Sequence, residues 1–128
     1  MICVMHGLHL TADLRGCAAG AAPMTDAAVL RALCLDAVAA AGLGAVADLF
    51  HRFAPAPGGQ PSGITGVVLL AESHLAVHTW PEMGAVTLDV YVCNFGGDNS
   101  AKAHALMRLL QEAFAPQQVQ QQAMHRGG

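Results

Sequence analysis

The stretch GVVLLAESHLAVHTWPEMGAVTLDVYVC, Gly66 to Cys93, decides the fold. Gly66-Val67-Val68-Leu69-Leu70-Ala71 is a continuous apolar run, the pattern of a central strand buried on both faces. A second strand follows almost at once, Leu75 to Trp80, and Pro81 ends it. Met83-Gly84 supplies a turn, after which Val86, Leu88, Val90 and Val92 alternate with Thr87, Asp89, Tyr91 and Cys93. Pairing these two strands antiparallel around Glu82–Met83 brings Cys93 opposite the Glu72–Ser73 bond. The same register puts His74, His78 and Trp80 on the face that carries Thr87, Asp89, Tyr91 and Cys93. A serine, two histidines, a carboxylate, a tyrosine and a thiol then gather on one side of one hairpin.

Upstream of this core, Leu8, Leu10, Ala12 and Leu14 alternate with His9, Thr11, Asp13 and Arg15, which predicts a half-buried first strand. Gly16 to Pro23 reads as a small-residue loop. Thr25 or Asp26 can cap a helix in which Val29, Leu30, Leu33, Ala37 and Ala41 recur at helical spacing, and Gly42 and Gly44 stop it. Ala45 to Phe53 is a further strand, and the Pro/Gly-rich segment Ala54 to Gly63 is a loop. Downstream, Asn99 or Ser100 caps a helix running to about Ala115, with Ala103, Leu106, Met107, Leu110 and Phe114 as its apolar stripe. Pro116 closes it, and the Gln-rich tail reads either as a weak last strand or as a frayed end. No internal repeat and no linker divides the chain, so residues 1–128 are expected to form one domain. The order of elements predicts an α+β two-layer sandwich, a mainly antiparallel sheet with two helices on one face.

Composition narrows the function. The 128 residues are 54% apolar and 12% charged, with a net charge of −3, which excludes a disordered chain and a basic nucleic-acid binder. Charge this sparse leaves much bare apolar surface on a monomer, so a homo-oligomer is expected. No run reaches the ~20 apolar residues that span a bilayer, and the opening Met1–Met5 lacks a signal peptide's basic start. A soluble cytoplasmic protein is the simplest expectation. Cys3, Cys17, Cys34 and Cys93 include no CxxC pair and read as buried free thiols. Lys102 is the only lysine, so Schiff-base chemistry through a lysine amine has a single candidate.

The polar triplet Glu72-Ser73-His74, placed directly after an apolar strand, is costly to bury unless a site uses it. Ser73 could be a hydrolase nucleophile with a histidine base, although the Gly-x-Ser-x-Gly elbow is absent. His74, His78 and Cys93 could bind zinc, but histidines four apart in a strand lie about 13 Å from one another. The plain alternative is a pair of ordinary hydrogen-bonded, half-buried histidines. A further route starts from the peptide bond itself. A serine hydroxyl can attack the preceding carbonyl and turn amide into ester, after which elimination and hydrolysis leave a pyruvoyl group. That ketone holds a substrate amine as a Schiff base without any lysine.

Ala71-Glu72-Ser73-His74 followed by His78-Thr79-Trp80-Pro81-Glu82 resembles the self-cleaving signature of the prokaryotic S-adenosylmethionine decarboxylase proenzymes. The likeness extends to His9, Gly16-Cys17, Phe50-His51-Arg52-Phe53, Thr65-Gly66-Val67-Val68, Asp89, Cys93 and His125-Arg126-Gly127. The resemblance implies autocatalytic cleavage between Glu72 and Ser73, giving a beta chain, 1–72, and an alpha chain, 73–128. It implies that Ser73 becomes the pyruvoyl group, the sole cofactor, without pyridoxal phosphate or metal. It further implies Thr65 as the residue polarising the scissile carbonyl, His78 as the processing base and Cys93 as the proton donor to the substrate carbanion. Phe53, Trp80 and Glu82 fall where the family contacts the adenosyl part of its substrate. The family's dimer, with sites at the interface, and its role in supplying the aminopropyl donor for polyamine synthesis follow as expectations. Relatives with the same core act on arginine or ornithine, and an uncleaved binding module is a further alternative. Three departures stand out: the long stretch between Phe53 and Thr65, Met83 and Ala85 in place of aromatics near Glu82, and Val92 and Asn94 around Cys93.

Overall fold

Alternating apolar residues make the first strand, β1 (His6–Arg15), bury Leu8, Leu10, Ala12 and Leu14 on one face. The computed structural model describes residues 6–55, 57–59 and 61–127, and Cys3 with the rest of Met1–Met5 lies outside them. After β1 come α1 (Ala22–Thr25), α2 (Ala27–Ala40), β2 (Ala45–Arg52), β3 (Ile64–Leu70), β4 (Ser73–Trp80), β5 (Ala85–Cys93), α3 (Ser100–Phe114) and β6 (Gln118–Gly127). The strands form one antiparallel sheet in the order β2-β3-β4-β5-β1-β6. All the helices lie on one face, giving the expected α+β two-layer sandwich.

Between the two layers the sheet contributes Leu10, Val68, Leu75 and Leu88, and the helices contribute Leu30, Leu106 and Leu110, all buried. Burying a side chain of this size stabilises the fold by roughly 1.5–3 kcal/mol. Asp26 caps α2, its Oδ1 accepting from the Ala28 and Val29 amides at 3.0 and 3.2 Å. Arg31 of α2 forks onto the Asp48 carboxylate of β2, at 2.7 and 3.1 Å, tying helix to sheet.

One element differs from the expectation, and a second settles an alternative left open. The segment read as a loop up to Pro23 ends in the one-turn helix α1, whose Met24 is fully buried. Four residues are too few to display a 3.6-residue period. The Gln-rich tail is a full strand, β6, paired with β1 from His6–Gly127 to Arg15–Gln118. Its residues are exposed on both faces, so the alternation that marks a half-buried strand is missing.

Thr79 is a buried polar side chain that locks the far end of β4. Its Oγ1 accepts from the Ile64 amide at 2.9 Å and donates to the Met24 carbonyl at 2.8 Å. A Cβ on Gly63 would lie 1.8 Å from the Thr79 carbonyl oxygen, so only glycine allows β3 to start there. Deleting one partner of such a buried pair costs about 1–3 kcal/mol.

Candidate active site

β3 and β4 are joined by the two-residue turn Ala71-Glu72, with Leu70 paired to Ser73. Glu72 has φ +54°, the left-handed region that favours glycine. For an L-residue this conformation costs roughly 1–2 kcal/mol, so the strain falls on the residue that ends at the Glu72–Ser73 bond. Ser73 Oγ accepts a hydrogen bond from the Cys93 amide at 3.0 Å, and Cys93 Sγ accepts one from the Phe95 amide at 3.5 Å. The sequence-derived register is therefore met, with His74 paired to Tyr91 and Cys93 alongside Ser73. In the uncleaved Ser73→Ala background, Glu72→Gly is expected to raise stability by about 1 kcal/mol, read from the urea midpoint. An unchanged or lower midpoint would show that the turn is not strained at this residue.

A cavity of about 620 Å³ opens at Ser73, lined by Glu72, His74, His9, Tyr91 and Arg126 among others. His9 Nε2 lies 3.1 Å from Asp89 Oδ1, which orients that ring. The Tyr91 ring packs against both His9 and His74, with centroids 6.1 and 5.7 Å away, and the Arg126 guanidinium lies 5.9 Å over it. A Cβ at Gly7 would come within 2.7 Å of the Tyr91 hydroxyl, so the absent side chain makes room for the ring. His9, Tyr91 and Arg126 are named in the sequence reading, with no function in the site assigned to any of them. Strand alternation marks Tyr91, but His9 and Arg126 arrive only through the long-range pairing of β1 with β5 and β6.

A second cavity, of about 530 Å³, is lined by Phe53, Thr65, His78, Trp80 and Glu82. Thr65 and His78 face each other across β3 and β4, with Oγ1 and Nδ1 3.0 Å apart. The His78 and Trp80 rings lie 5.7 Å apart and tilted by 32°, side by side on one face of β4. Phe53 stays beside them despite the long loop because its amide donates to the Gly63 carbonyl, extending the β2–β3 ladder by one bond.

The structure thus brings the expected residues together in two groups rather than one. Ser73 and His78 are five residues apart on the same strand, about 16 Å at the usual rise per residue. Within one chain, the Thr65–His78 pair cannot touch the Glu72–Ser73 bond. The same spacing keeps His74 and His78 apart, against a shared metal. Both cavities open on the sheet face that carries no helix. Cys17 and Cys34 lie in the core, and burial pushes the Cys34 thiol up to about 12, leaving it inert at neutral pH.

The family model described as S-adenosylmethionine decarboxylase matches residues 8–127. The chain is 40% identical over 121 residues to the S-adenosylmethionine decarboxylase proenzyme of Aquifex aeolicus, covering 94% of this chain and 81% of that one. It is 35% identical over 121 residues to the proenzyme of Archaeoglobus fulgidus, covering 94% and 97%. The crystal structure of the adenosylmethionine decarboxylase from Aquifex aeolicus superposes with a TM-score of 0.82 at 36% identity, covering 98% of this chain and 94% of that one. With sequence and fold matched over nearly its whole length, the chain belongs to the S-adenosylmethionine decarboxylase family.

Proposed function

We propose that the chain decarboxylates S-adenosylmethionine, supplying the aminopropyl donor for polyamine synthesis, after making its own pyruvoyl group from Ser73. The observation that carries this is a left-handed Glu72 immediately before a serine whose hydroxyl is held against Cys93. Addition of Ser73 Oγ to the Glu72 carbonyl turns the amide into an ester and relieves the turn. Thr65 polarises that carbonyl, and His78, oriented by Thr65, removes the Ser73 α-proton so that elimination separates 1–72 from 73–128. Hydrolysis then releases ammonia and leaves the keto terminus. The Ser73 neighbourhood fits such a terminus, since its cavity is open to a substrate and the Cys93 amide lies 3.0 Å from Ser73 Oγ.

A pyruvoyl group at position 73 would supply a ketone for the substrate amine and an electron sink for the charge left as carbon dioxide departs. Cys93 returns the proton. Trp80 and Phe53 offer ring faces to a sulfonium cation, worth about 0.5–2 kcal/mol, and Glu82 accepts from a ribose hydroxyl. Neither a lysine nor a metal enters these steps.

A second copy completes the site. The helix-free face exposes Leu49, Leu69 and Met124, an apolar surface suited to a two-fold partner. Face-to-face docking would set Thr65, His78, Phe53, Trp80 and Glu82 of one protomer over Ser73 and Cys93 of its partner, twice per dimer. The cleaved beta chain stays in place because its β1 is paired between β5 and β6 of the alpha chain. Free thiols at Cys17, Cys34 and Cys93 support a reducing, cytoplasmic setting. Among the described residues no helix is long and apolar enough to cross a membrane. The decisive assay is carbon dioxide release by the purified, cleaved protein. S-adenosylmethionine is expected to be turned over and arginine and ornithine left intact, and the reverse pattern would overturn the assignment.

A further inference from the structure

Between the end of β5 and the start of α3 the chain folds back through residues 94–99. Asn99 occupies the N-cap position of α3, yet its side chain makes no cap bond. Asp98 covers the helix start instead, its Oδ1 accepting from the Ser100 amide at 2.9 Å. The Asn99 side-chain amide points backwards and donates to the Cys93 carbonyl at 2.9 Å, while the Asn99 backbone amide donates to Asn94 Oδ1 at 2.8 Å. Asn94 is fixed in turn, its Nδ2 donating to Ser100 Oγ at 3.1 Å and its backbone amide to the His6 carbonyl at 2.7 Å. Inside this closed ring the Phe95 amide donates to the Cys93 sulfur.

Capping does not account for Asn99, since an N-cap side chain ordinarily bonds to the second or third helical amide. We infer that Asn99, latched through Asn94, is a positioning residue that fixes the Cys93 backbone against Ser73, and with it the direction of the thiol, for proton return. The inference rests on the reading of Cys93 as proton donor. The ring holds the Cys93 carbonyl from one side and sets the Phe95 amide on its sulfur from the other, so both the backbone and the thiol are held. It also gives a reason for Asn94, one of the residues that departs from the family pattern around the cysteine.

Asn99→Asp has the same shape but no side-chain amide to donate, and Asn94→Leu removes the latch. Either variant is expected to cleave normally, to keep KM within about twofold and to lose about 10–100-fold in kcat, the usual scale for a group displaced by about 1 Å. The solvent deuterium isotope effect on kcat should rise as proton return becomes limiting. Asn94→Asp keeps the acceptor for Asn99 and should retain kcat within about threefold. A measurement independent of turnover is amide exchange at Phe95 in the uncleaved Ser73→Ala chain, expected to speed up at least about tenfold with Asn99→Asp. Wild-type kcat and unchanged Phe95 exchange in both variants would overturn the inference, as would a uniform loss of cleavage, KM and kcat together. Cys93→Ala, run in parallel, separates the two levels. If it keeps full kcat, the donor reading fails; if it loses kcat while Asn99→Asp does not, only the positioning role fails.

Discussion

Replacing Ser73 by alanine is expected to leave the chain as one 13.2 kDa polypeptide that releases no carbon dioxide from S-adenosylmethionine. A methyl group cannot add to the Glu72 carbonyl, so neither ester nor keto terminus forms. The strained turn should persist, because φ at Glu72 is set by the two-residue connection between β3 and β4 rather than by the serine hydroxyl. Folding should be little affected. Ser73 is half-buried at a strand end, and its hydroxyl accepts a hydrogen bond from the Cys93 amide. Catalysis should lose its entire enhancement, on the order of 10⁶-fold or more. Intact-mass measurement reads the first effect and carbon dioxide release the second. A Ser73→Ala chain that still splits between residues 72 and 73 would remove the proposed cofactor altogether.

Two variants that each fail alone are expected to rescue one another when expressed together. Ser73→Ala lacks the scissile serine but keeps Thr65 and His78, whereas His78→Ala keeps Ser73 and Cys93 and lacks the base. Alone, the His78 variant should cleave about 10²–10⁴-fold more slowly, the ordinary contribution of a positioned acid or base. In a mixed dimer one composite site holds the intact serine of one chain opposite the intact histidine of the other. The His78→Ala chain should then split, the Ser73→Ala chain should stay whole, and part of the carbon dioxide release should return. Chains distinguished by tags of different mass make this visible in a single spectrum. The geometric reason is the separation of about 16 Å along β4, which no side-chain rotation closes. If co-expression leaves both chains uncleaved, the processing base is not supplied across a dimer interface.

The hairpin from Leu75 to Cys93 was legible because its information is local. Alternation, a proline stop and a short turn set the register, and the structure pairs His74 with Tyr91 and His78 with Thr87 in that register. The antiparallel two-layer architecture, the helices α2 and α3, and the residue types of the site could be read in the same way. The separation of Ser73 from His78 into different cavities could not. Sharing a face of a strand is a statement about direction, and distance along that face still grows by about 3.3 Å per residue.

By itself, the order of residues determined the first five strands, the two long helices and the polar Glu72-Ser73-His74 triplet at a strand end, all through patterns spanning fewer than about 20 positions. Only the tertiary structure decided that β1 lies between β5 and β6, bringing His9 and Arg126 to the Ser73 cavity. It alone put Glu72 in the left-handed region and divided the site into halves on a bare sheet face. Those features depend on pairing between segments as much as 121 positions apart, His6 with Gly127. Such pairings are selected by the packing of the whole domain and leave no periodic trace in either segment.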